Sequence, residues 1–354
     1  MNAPHTNEAA RYPSPCRTRN QTAACVSLLF CVLHAIRADA WAAELVVGPG
    51  ARFAQPSEAA TVAQSGDTVR ILPGTFYDCA VWRADGLVIE GSGPATRITD
   101  RVCHGKAIFV VMGDNIRIRD ITLARARNLD GYGAAIRAEG RTLTLERLLI
   151  EDNQDGIFAP GEAQGSTLRI EDSIFRANGA ASNEPSSAAI RAGPLAALVL
   201  RGSVFEAGRG TAAILSRARM TEIAGSRIAA VATGSGATIQ VDGGLRITAS
   251  VVAPGVGPRG RRAAILALPG HGAAGDLEVT ETRLDGPGVL LLNWSGRSER
   301  LAGNAVPAGS AEATQAGMWW SALRRLARQV IDGAIALMRL ARTWLHEVAA
   351  KAGW

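Results

Sequence analysis

Residues 142–150, TLTLERLLI, return 25 positions later as residues 167–175, TLRIEDSIF. Each stretch places an apolar residue at every second position, then a short polar turn and another apolar pair. This alternation indicates β-strands, because successive side chains of a strand point to opposite faces. A helix would repeat its apolar residues every three or four positions, so helices do not explain the pattern.

The same motif occurs nine times between residues 87 and 306, at intervals of 22 to 32 residues. A second motif, usually alanine followed by a β-branched residue, keeps the same spacing. The central residues of the first motif are Ile89, Ile118, Leu145, Ile170, Leu200, Ile223, Ile247, Val279 and Leu301, and those of the second are Ile108, Ile136, Ile157, Ile190, Ile214, Ile239, Ile265 and Leu290. The repeats therefore predict two strands in every turn of the chain.

A single turn of this kind cannot bury its inner face, so successive turns must stack. The sequence predicts an all-β solenoid of about nine coils, with neighbouring parallel strands ~4.8 Å apart. Because parallel crossovers are almost always right-handed, we expect a right-handed parallel β-helix. The composition agrees, since 47% of the 354 residues are hydrophobic and only 20% are charged, which disfavours disorder.

The formal net charge of +6 belongs to the two ends of the chain. Residues 43–316 carry 28 basic and 28 acidic side chains, so the solenoid itself has no net charge. A high isoelectric point arising in this way does not indicate a nucleic-acid partner, and we expect none.

The N-terminal residues 1–42 are predicted to be an export signal. Three arginines precede an apolar run at residues 23–36, and small residues follow up to Ala42, where we expect cleavage. An uncleaved anchor is the alternative, although 14 residues are few for a membrane span. We therefore expect an exported protein that is periplasmic or extracellular, with peripheral attachment to a membrane as an alternative.

The solenoid domain is predicted at residues 43–309, followed by a linker of small residues at 310–317. A helix at residues 56–63, with Ser57 as its N-cap, is expected to cover the open N-terminal end. Residues 318–354 predict a basic amphipathic helix, because apolar residues recur three or four apart and arginines occupy the other side. Such a helix either lies on a membrane surface or packs as a lid or dimer contact.

Two cysteines, Cys79 and Cys103, remain once the predicted signal is removed. They are 24 residues apart, about one coil, so they can lie on adjacent coils at the separation that a disulfide requires. An oxidising compartment favours the bond. The alternative is a pair of buried thiols that do not meet.

Residues 66–77, GDTVRILPGTFY, together with the coils that follow, resemble the pectate lyase-like superfamily of right-handed parallel β-helices. The resemblance covers about residues 46–306. Residues 133–157 are similar to a group of exported bacterial β-helix proteins that have no assigned reaction. The superfamily includes lyases, hydrolases, epimerases, adhesins and proteins without catalysis, so the resemblance implies the architecture and leaves the activity open.

Lyases and epimerases on this fold need a cation to neutralise a uronate carboxylate, a base and an acid. The candidate catalytic residues are Arg137 as the cation and Asp152 or Asp155 as the base. The candidate substrate-binding residues are Arg125, Arg127, Asp130, Tyr132, Glu139 and Asn153. The alternative is structural, because Asp and Asn after a strand commonly bond the nearby backbone in turns.

Other kinds of site have little support in the sequence. Gly270-His271-Gly272 resembles an element of polygalacturonases, but the paired carboxylates that glycoside hydrolysis needs are missing around it. No residue cluster has the spacing of a metal site, so no metal and no cofactor are expected.

These observations leave three hypotheses of function. The leading one is a non-catalytic or vestigial exported protein that binds an acidic polysaccharide or another envelope component along its long face. The first alternative is a polysaccharide lyase or uronate epimerase that acts on an acidic glycan. The second alternative is a membrane-associated scaffold held by residues 318–354.

Overall fold

The computed structural model describes residues 42–131, 133–161, 165–180, 187–231, 236–256, 260–270 and 275–315. Within these ranges the chain is an all-β parallel solenoid of about ten coils with very little helix, which confirms the predicted fold class. The predicted C-terminal amphipathic helix and residues 1–41 of the predicted export signal lie outside the described residues. No helix within the described ranges is long and apolar enough to cross a membrane.

The first sheet contains the nine predicted residues from Ile89 to Leu301, each paired in direct register with the next. Two further strands precede them, through Leu45 and Val69, so this sheet has eleven strands among the described residues. The strands are Glu44–Val47, Thr68–Ile71, Val88–Glu90, Ile116–Arg119, Thr142–Glu146, Thr167–Glu171, Ala197–Arg201, Met220–Ala224, Gly244–Thr248, Leu277–Thr280 and Glu299–Ala302.

The prediction of two strands per coil is wrong, because a second sheet gives each full coil a third strand. The apolar pair that closes each motif belongs to a strand of its own, because the chain turns with a positive φ two residues before that strand, as at Asp120 (58°) and Arg147 (50°). These strands were missed because two to four residues are too few to show an alternation. They are Gly74–Phe76, Thr96–Thr99, Thr122–Ala124, Leu149–Glu151, Ile174–Arg176, Val204–Glu206, Arg227–Ile228, Val251–Val252 and Arg283–Leu284.

The third sheet follows the second motif, with six predicted residues from Ile136 to Ile265 in direct register. Its strands are Ala80–Trp82, Ala107–Val111, Ala134–Ala138, Asp155–Ala159, Ala188–Ala192, Ala212–Ser216, Ile239–Val241, Arg262–Ala267, Val289–Asn293 and Ala311–Gln315. Gly255–Val256 adds a short antiparallel strand beside Arg262–Ala267.

Both end positions predicted for this sheet are wrong by one residue. Phe109, not Ile108, pairs with Ile136, and Leu291, not Leu290, pairs with Ile265. The strand Ala107–Val111 is buried at every position and Val289–Asn293 at four of five, so neither shows the alternation that would reveal its inward face.

The N-terminal helix spans Pro56–Val62 and packs against strands Glu44–Val47 and Ala80–Trp82, at the start of the first and third sheets. The predicted cap is wrong: Gln55 holds the N-cap position and Pro56 begins the helix. Ser57 instead donates its backbone N–H to the Asp78 carboxylate at 2.8 Å. A single short 3₁₀ helix within the described residues spans Gly93–Ala95.

A disulfide joins Cys79 and Cys103, whose Cα atoms are 5.5 Å apart. Cys79 immediately precedes the third-sheet strand Ala80–Trp82, and Cys103 lies just before Ala107–Val111, the next strand of that sheet. The bond therefore ties two adjacent coils near the N-terminal end of the solenoid.

Candidate functional site

Basic side chains gather on the outer surface of the third sheet and on the turns that lead into it. The outward row of the sheet runs through Val110, Arg137, Phe158, Arg191 and Leu215 in direct register. We call the basic residues of this region the cationic face. It consists of Lys106, Arg125, Arg127, Arg137, Arg191 and Arg209.

Phe158 lies between two guanidinium groups at the centre of this face. The Arg191 guanidinium carbon is 3.8 Å and that of Arg137 is 4.9 Å from the centroid of the Phe158 ring. Strand spacing produces this arrangement, because residues in direct register on successive coils lie ~4.8 Å apart. Cation–π attraction favours both contacts and holds the two arginines against the sheet.

The Asp155 carboxylate lies beneath Arg191 and is fully buried. One of its oxygens accepts the Ala188 backbone N–H at 3.0 Å, and the other accepts an Arg191 Nη2 hydrogen bond at 2.5 Å. Burial raises the pKa of Asp155 to about 6, although the charge of Arg191 and the two hydrogen bonds oppose the shift. The cation at Asp155 is therefore Arg191, which the sequence analysis did not single out.

Glu139 connects Arg137 with Lys106. Its Oε1 accepts hydrogen bonds from Arg137 Nε at 2.5 Å and from Lys106 Nζ at 2.9 Å. Burial acts to raise the pKa of Glu139, but the hydrogen bonds from Lys106 and Arg137 outweigh it and hold that pKa below its usual value. Glu139 is thus an ionised partner of two cations.

Asp152 occupies the turn before the third sheet, where its φ of 53° is left-handed. Its Oδ1 accepts a 2.7 Å hydrogen bond from Arg127 Nη2 and another from Arg209, which reaches it from two coils away. Burial acts to raise the pKa of Asp152, but the hydrogen bonds from Arg209 and Arg127 prevail and lower it. The carboxylate is therefore charged and weakly basic.

Arg125 sits in the same turn one coil earlier and binds Asp100 through Nε at 2.8 Å and Nη2 at 2.5 Å. Both side chains are substantially exposed, at 43% and 37%. The hydrogen bond from Arg125 lowers the pKa of Asp100 despite partial burial. This pair is as accessible as the pair of Arg127 and Asp152, whose side chains are 43% and 38% exposed.

Asn153 faces the interior of the solenoid, which corrects its prediction as a surface residue that binds substrate. Its Oδ1 accepts the Ala126 N–H at 2.8 Å, and its Nδ2 donates to Asn178 Oδ1 at 2.9 Å. Asn178 in turn donates to the Ile150 carbonyl at 2.7 Å. Both amides satisfy backbone groups between coils, as the structural interpretation of these turn residues predicted.

The loop that follows Arg127 projects beside this face. Gln154 closes the loop, because its Oε1 accepts the N–H groups of Asn128 and Gly133, each at 2.8 Å. Asp130 is exposed on this loop. Tyr132, predicted to bind substrate, lies outside the described residues, as does His271.

Arg191 could have been found from the sequence. The pentapeptide AAIRA occurs at residues 134–138 and again at 188–192, so Arg191 repeats Arg137 two coils later. Lys106 and Arg209 carry no such signal, because both belong to turns whose path depends on the neighbouring coils.

Metal binding finds no support in the described ranges, where no three His, Cys, Asp or Glu side chains come together. Calcium requires several converging oxygen ligands. Here Asp152, Asp155 and Glu139 each direct oxygens to arginine or lysine instead.

Comparison with known proteins finds similarity in fold. No protein-family model matches the sequence, and no curated protein matches it. An alginate lyase from Paenibacillus sp. str. FPU-7 is similar over 76% of this chain and 97% of its own, with a TM-score of 0.53 and 15% identity. A Geobacillus virus E2 protein is similar over 88% of this chain and 67% of its own, with a TM-score of 0.53 and 12% identity.

The pectate lyase Pel9A is similar over 77% of this chain and 78% of its own, with a TM-score of 0.51 and 14% identity. The chain thus shares the parallel β-helix fold of these two lyases. Identities of this size extend to the architecture alone, so function has to be argued from the site.

Proposed function

We propose that this protein is exported and binds an acidic polysaccharide, or an envelope component with the same acidic groups, through the cationic face and without catalysis. The observation that carries the proposal is the state of the candidate carboxylates. Asp152 and Glu139 are each held by two cations, and Asp155 is buried beneath Arg191. A base in a lyase has to reach a substrate proton, which these contacts oppose.

The exposed cations can still bind a polyanion while their ion pairs persist. A guanidinium has five N–H donors, and Arg125 gives two of them to Asp100. Lys106 and Arg127 are about 40% exposed and lie on the same side of the solenoid. Carboxylates of a polysaccharide would therefore find several donors in a row along the coils.

The solved structures with this fold support the chemical class of the ligand. Two of them are named for alginate and pectate, which are acidic polysaccharides. Because this chain resembles those proteins in fold alone, we take from them only the chemical class of the ligand, an acidic polysaccharide.

Affinity electrophoresis in gels that contain alginate, polygalacturonate or neutral dextran tests the proposal. We expect retardation by an acidic polymer and none by dextran, with binding that weakens as salt is added. Arg125→Gln and Lys106→Gln should each weaken binding about fivefold, which corresponds to ~1 kcal/mol for an exposed charge.

Arg300→Gln is the matched control, because Arg300 is exposed and paired with Glu278 on the first sheet, away from the cationic face. It should leave binding unchanged. Equal losses from all three substitutions, or no binding of any acidic polymer, would overturn the proposal.

A polysaccharide lyase or uronate epimerase is the second candidate, and Asp155 is the observation that favours it. A carboxyl with a pKa of about 6 beside an arginine is suited to proton transfer near neutral pH. Lyase activity would generate an unsaturated uronate that absorbs in the near ultraviolet. Turnover that disappears in Asp155→Asn and Asp152→Ala would establish the enzyme and exclude the non-catalytic proposal.

A further inference from the structure

The turn that leads from the second sheet to the third carries an exposed aromatic side chain near the N-terminal end of the solenoid. Tyr77 directly follows the strand Gly74–Phe76 and is 61% exposed. Among the described residues, no other aromatic side chain is this open to water, and Phe158 is partly buried against Arg137 and Arg191. A lone exposed aromatic residue needs no explanation by itself, so its rigidity and its neighbours decide what it can do.

The backbone on the C-terminal side of Tyr77 is fixed at two consecutive residues. The carboxylate of Asp78 accepts the Ser57 backbone N–H at 2.8 Å, which ties the turn to the N-terminal helix. Cys79 is bonded to Cys103, which ties the turn to the next coil. Little backbone freedom remains to be lost when a ligand packs on the ring, so Tyr77 is pre-organised for binding.

Tyr77 lies close to the Arg125 guanidinium. Tyr77, Asp100 and Arg125 follow second-sheet strands on three successive coils, so the backbones of Tyr77 and Arg125 are two strand spacings, ~10 Å, apart. The hydrogen bond to Asp100 is the main cause that raises the pKa of Arg125, and Tyr77 adds a smaller electrostatic contribution. The phenol ring is therefore within electrostatic reach of an exposed cation of the cationic face.

An exposed ring beside an exposed cation suits a ligand that has both an apolar face and an anionic group. The C–H groups on one face of a pyranose sugar pack against the negative face of an aromatic ring. A uronate also carries a carboxylate, which accepts charge-assisted hydrogen bonds from a guanidinium. A polyanion without sugar rings, such as polyphosphate, can use Arg125 but gains nothing from Tyr77.

We propose that Tyr77 is a sugar-stacking subsite, on which the ring of one uronate packs while Arg125 binds its carboxylate or that of the next sugar. The subsite selects polyuronates from among acidic polymers. This inference rests on the proposed function, because it adds a ring contact to the cationic face. A nucleobase of single-stranded nucleic acid is the competing occupant of the ring.

Isothermal titration calorimetry of the full-length protein with polygalacturonate oligomers, polyphosphate and single-stranded DNA tests the subsite. We expect Tyr77→Ala to weaken polygalacturonate binding about tenfold and to leave polyphosphate binding unchanged, because only the sugar packs on the ring. Tyr77→Phe keeps the ring and should retain wild-type affinity. Ile174→Ala is the matched control, since this exposed apolar residue lies on the second sheet four strand spacings, ~19 Å, further along, and it should change no affinity.

A second measurement needs no destabilising substitution. In the wild-type protein labelled with ¹³C at tyrosine rings, Tyr77→Phe identifies the Tyr77 signal by its disappearance. That signal should shift when polygalacturonate saturates the protein and stay in place with polyphosphate. A Tyr77 signal that does not move with polygalacturonate would exclude stacking.

Arg125→Gln separates failure of the subsite from failure of the proposed function. Weaker polygalacturonate binding in Arg125→Gln, with wild-type affinity in Tyr77→Ala, would overturn the subsite and leave the proposed function standing. A wild-type protein that binds no polyuronate would overturn both. Equal losses for polygalacturonate and polyphosphate in Tyr77→Ala would also overturn the subsite, and a loss confined to DNA would assign the ring to nucleic acid instead.

Discussion

At the scale of single residues, Asp152 and Asp155 show how three positions along the chain change the chemistry of a carboxyl group. Asp152 lies in an exposed turn between two guanidinium groups, and its pKa is lowered. Asp155 is fully buried with one guanidinium, and burial raises its pKa to about 6. The sequence identified both residues but gave them the same role, because sequence position does not report depth below the surface.

Asp155 should make the protein less stable as the pH rises. Its folded pKa of about 6 exceeds the ordinary 3.8, so between these values the folded state keeps a proton that the unfolded state has released. Its contribution to stability is fully present below pH ~4 and is lost as the pH rises through ~6. Relative to Asp155→Asn, the wild-type free energy of unfolding should fall by ~3 kcal/mol between pH 4 and pH 7, as urea titrations would measure.

Comparison of the wild type with Asp152→Asn should show the opposite pH dependence of the free energy of unfolding. The pKa of Asp152 is lowered in the folded protein, so its contribution is present above pH ~4 and is lost as the pH falls. Stability curves of wild type and Asp155→Asn that run parallel from pH 4 to pH 7 would contradict the buried environment assigned to Asp155.

At the scale of structural elements, recurring small side chains let the coils stack. Ser173, Ser203 and Ser226 form a buried column in which each backbone N–H donates to the hydroxyl of the next coil at 3.2 Å. Glycines form a second column at the turn after the third sheet. A Cβ on Gly140 would lie 2.2 Å from the Gly113 carbonyl oxygen, and one on Gly113 would lie 2.2 Å from that of Ala84.

Gly140→Ala should therefore destabilise the solenoid by about 3 kcal/mol, since the added methyl group has to displace the backbone of the adjacent coil. Gly225→Ala is the matched control: its position is open, but its φ of +57° disfavours any other residue, so ~1 kcal/mol is expected. Chemical denaturation measures both. Equal losses would mean that backbone conformation, rather than contact between coils, requires glycine at residue 140.

At the scale of the whole molecule, a solenoid is held together by contacts between neighbouring coils, so its stability is local along the rod. The two ends of the solenoid differ in the contacts that stabilise their terminal coils. The helix Pro56–Val62 and the disulfide between Cys79 and Cys103 secure the N-terminal coils. At the other end, among the residues that the structure describes, the last strands are paired on one side only, and Leu301 and Ala313 are partly exposed.

Replacing Cys79 and Cys103 with serine should loosen the N-terminal end alone. The bond closes a 24-residue segment, for which ~3 kcal/mol of stabilisation is typical. Hydrogen exchange should accelerate in strands Ala80–Trp82 and Ala107–Val111 and stay unchanged in Gly244–Thr248. Uniform acceleration along the rod would show that the coils unfold as one cooperative unit instead.

The sequence by itself determined the inward face of the solenoid, because strands with one solvated face alternate with a period of two, and the nine residues from Ile89 to Leu301 stack in register as that period requires. Only the tertiary structure decided the one-residue shift to Phe109 and Leu291, since a strand buried on both faces shows no alternation. It also decided that Arg191 binds Asp155 and that Arg209 binds Asp152. Those pairs join residues one and two coils apart, and stacking, rather than local sequence, sets which outward side chains meet.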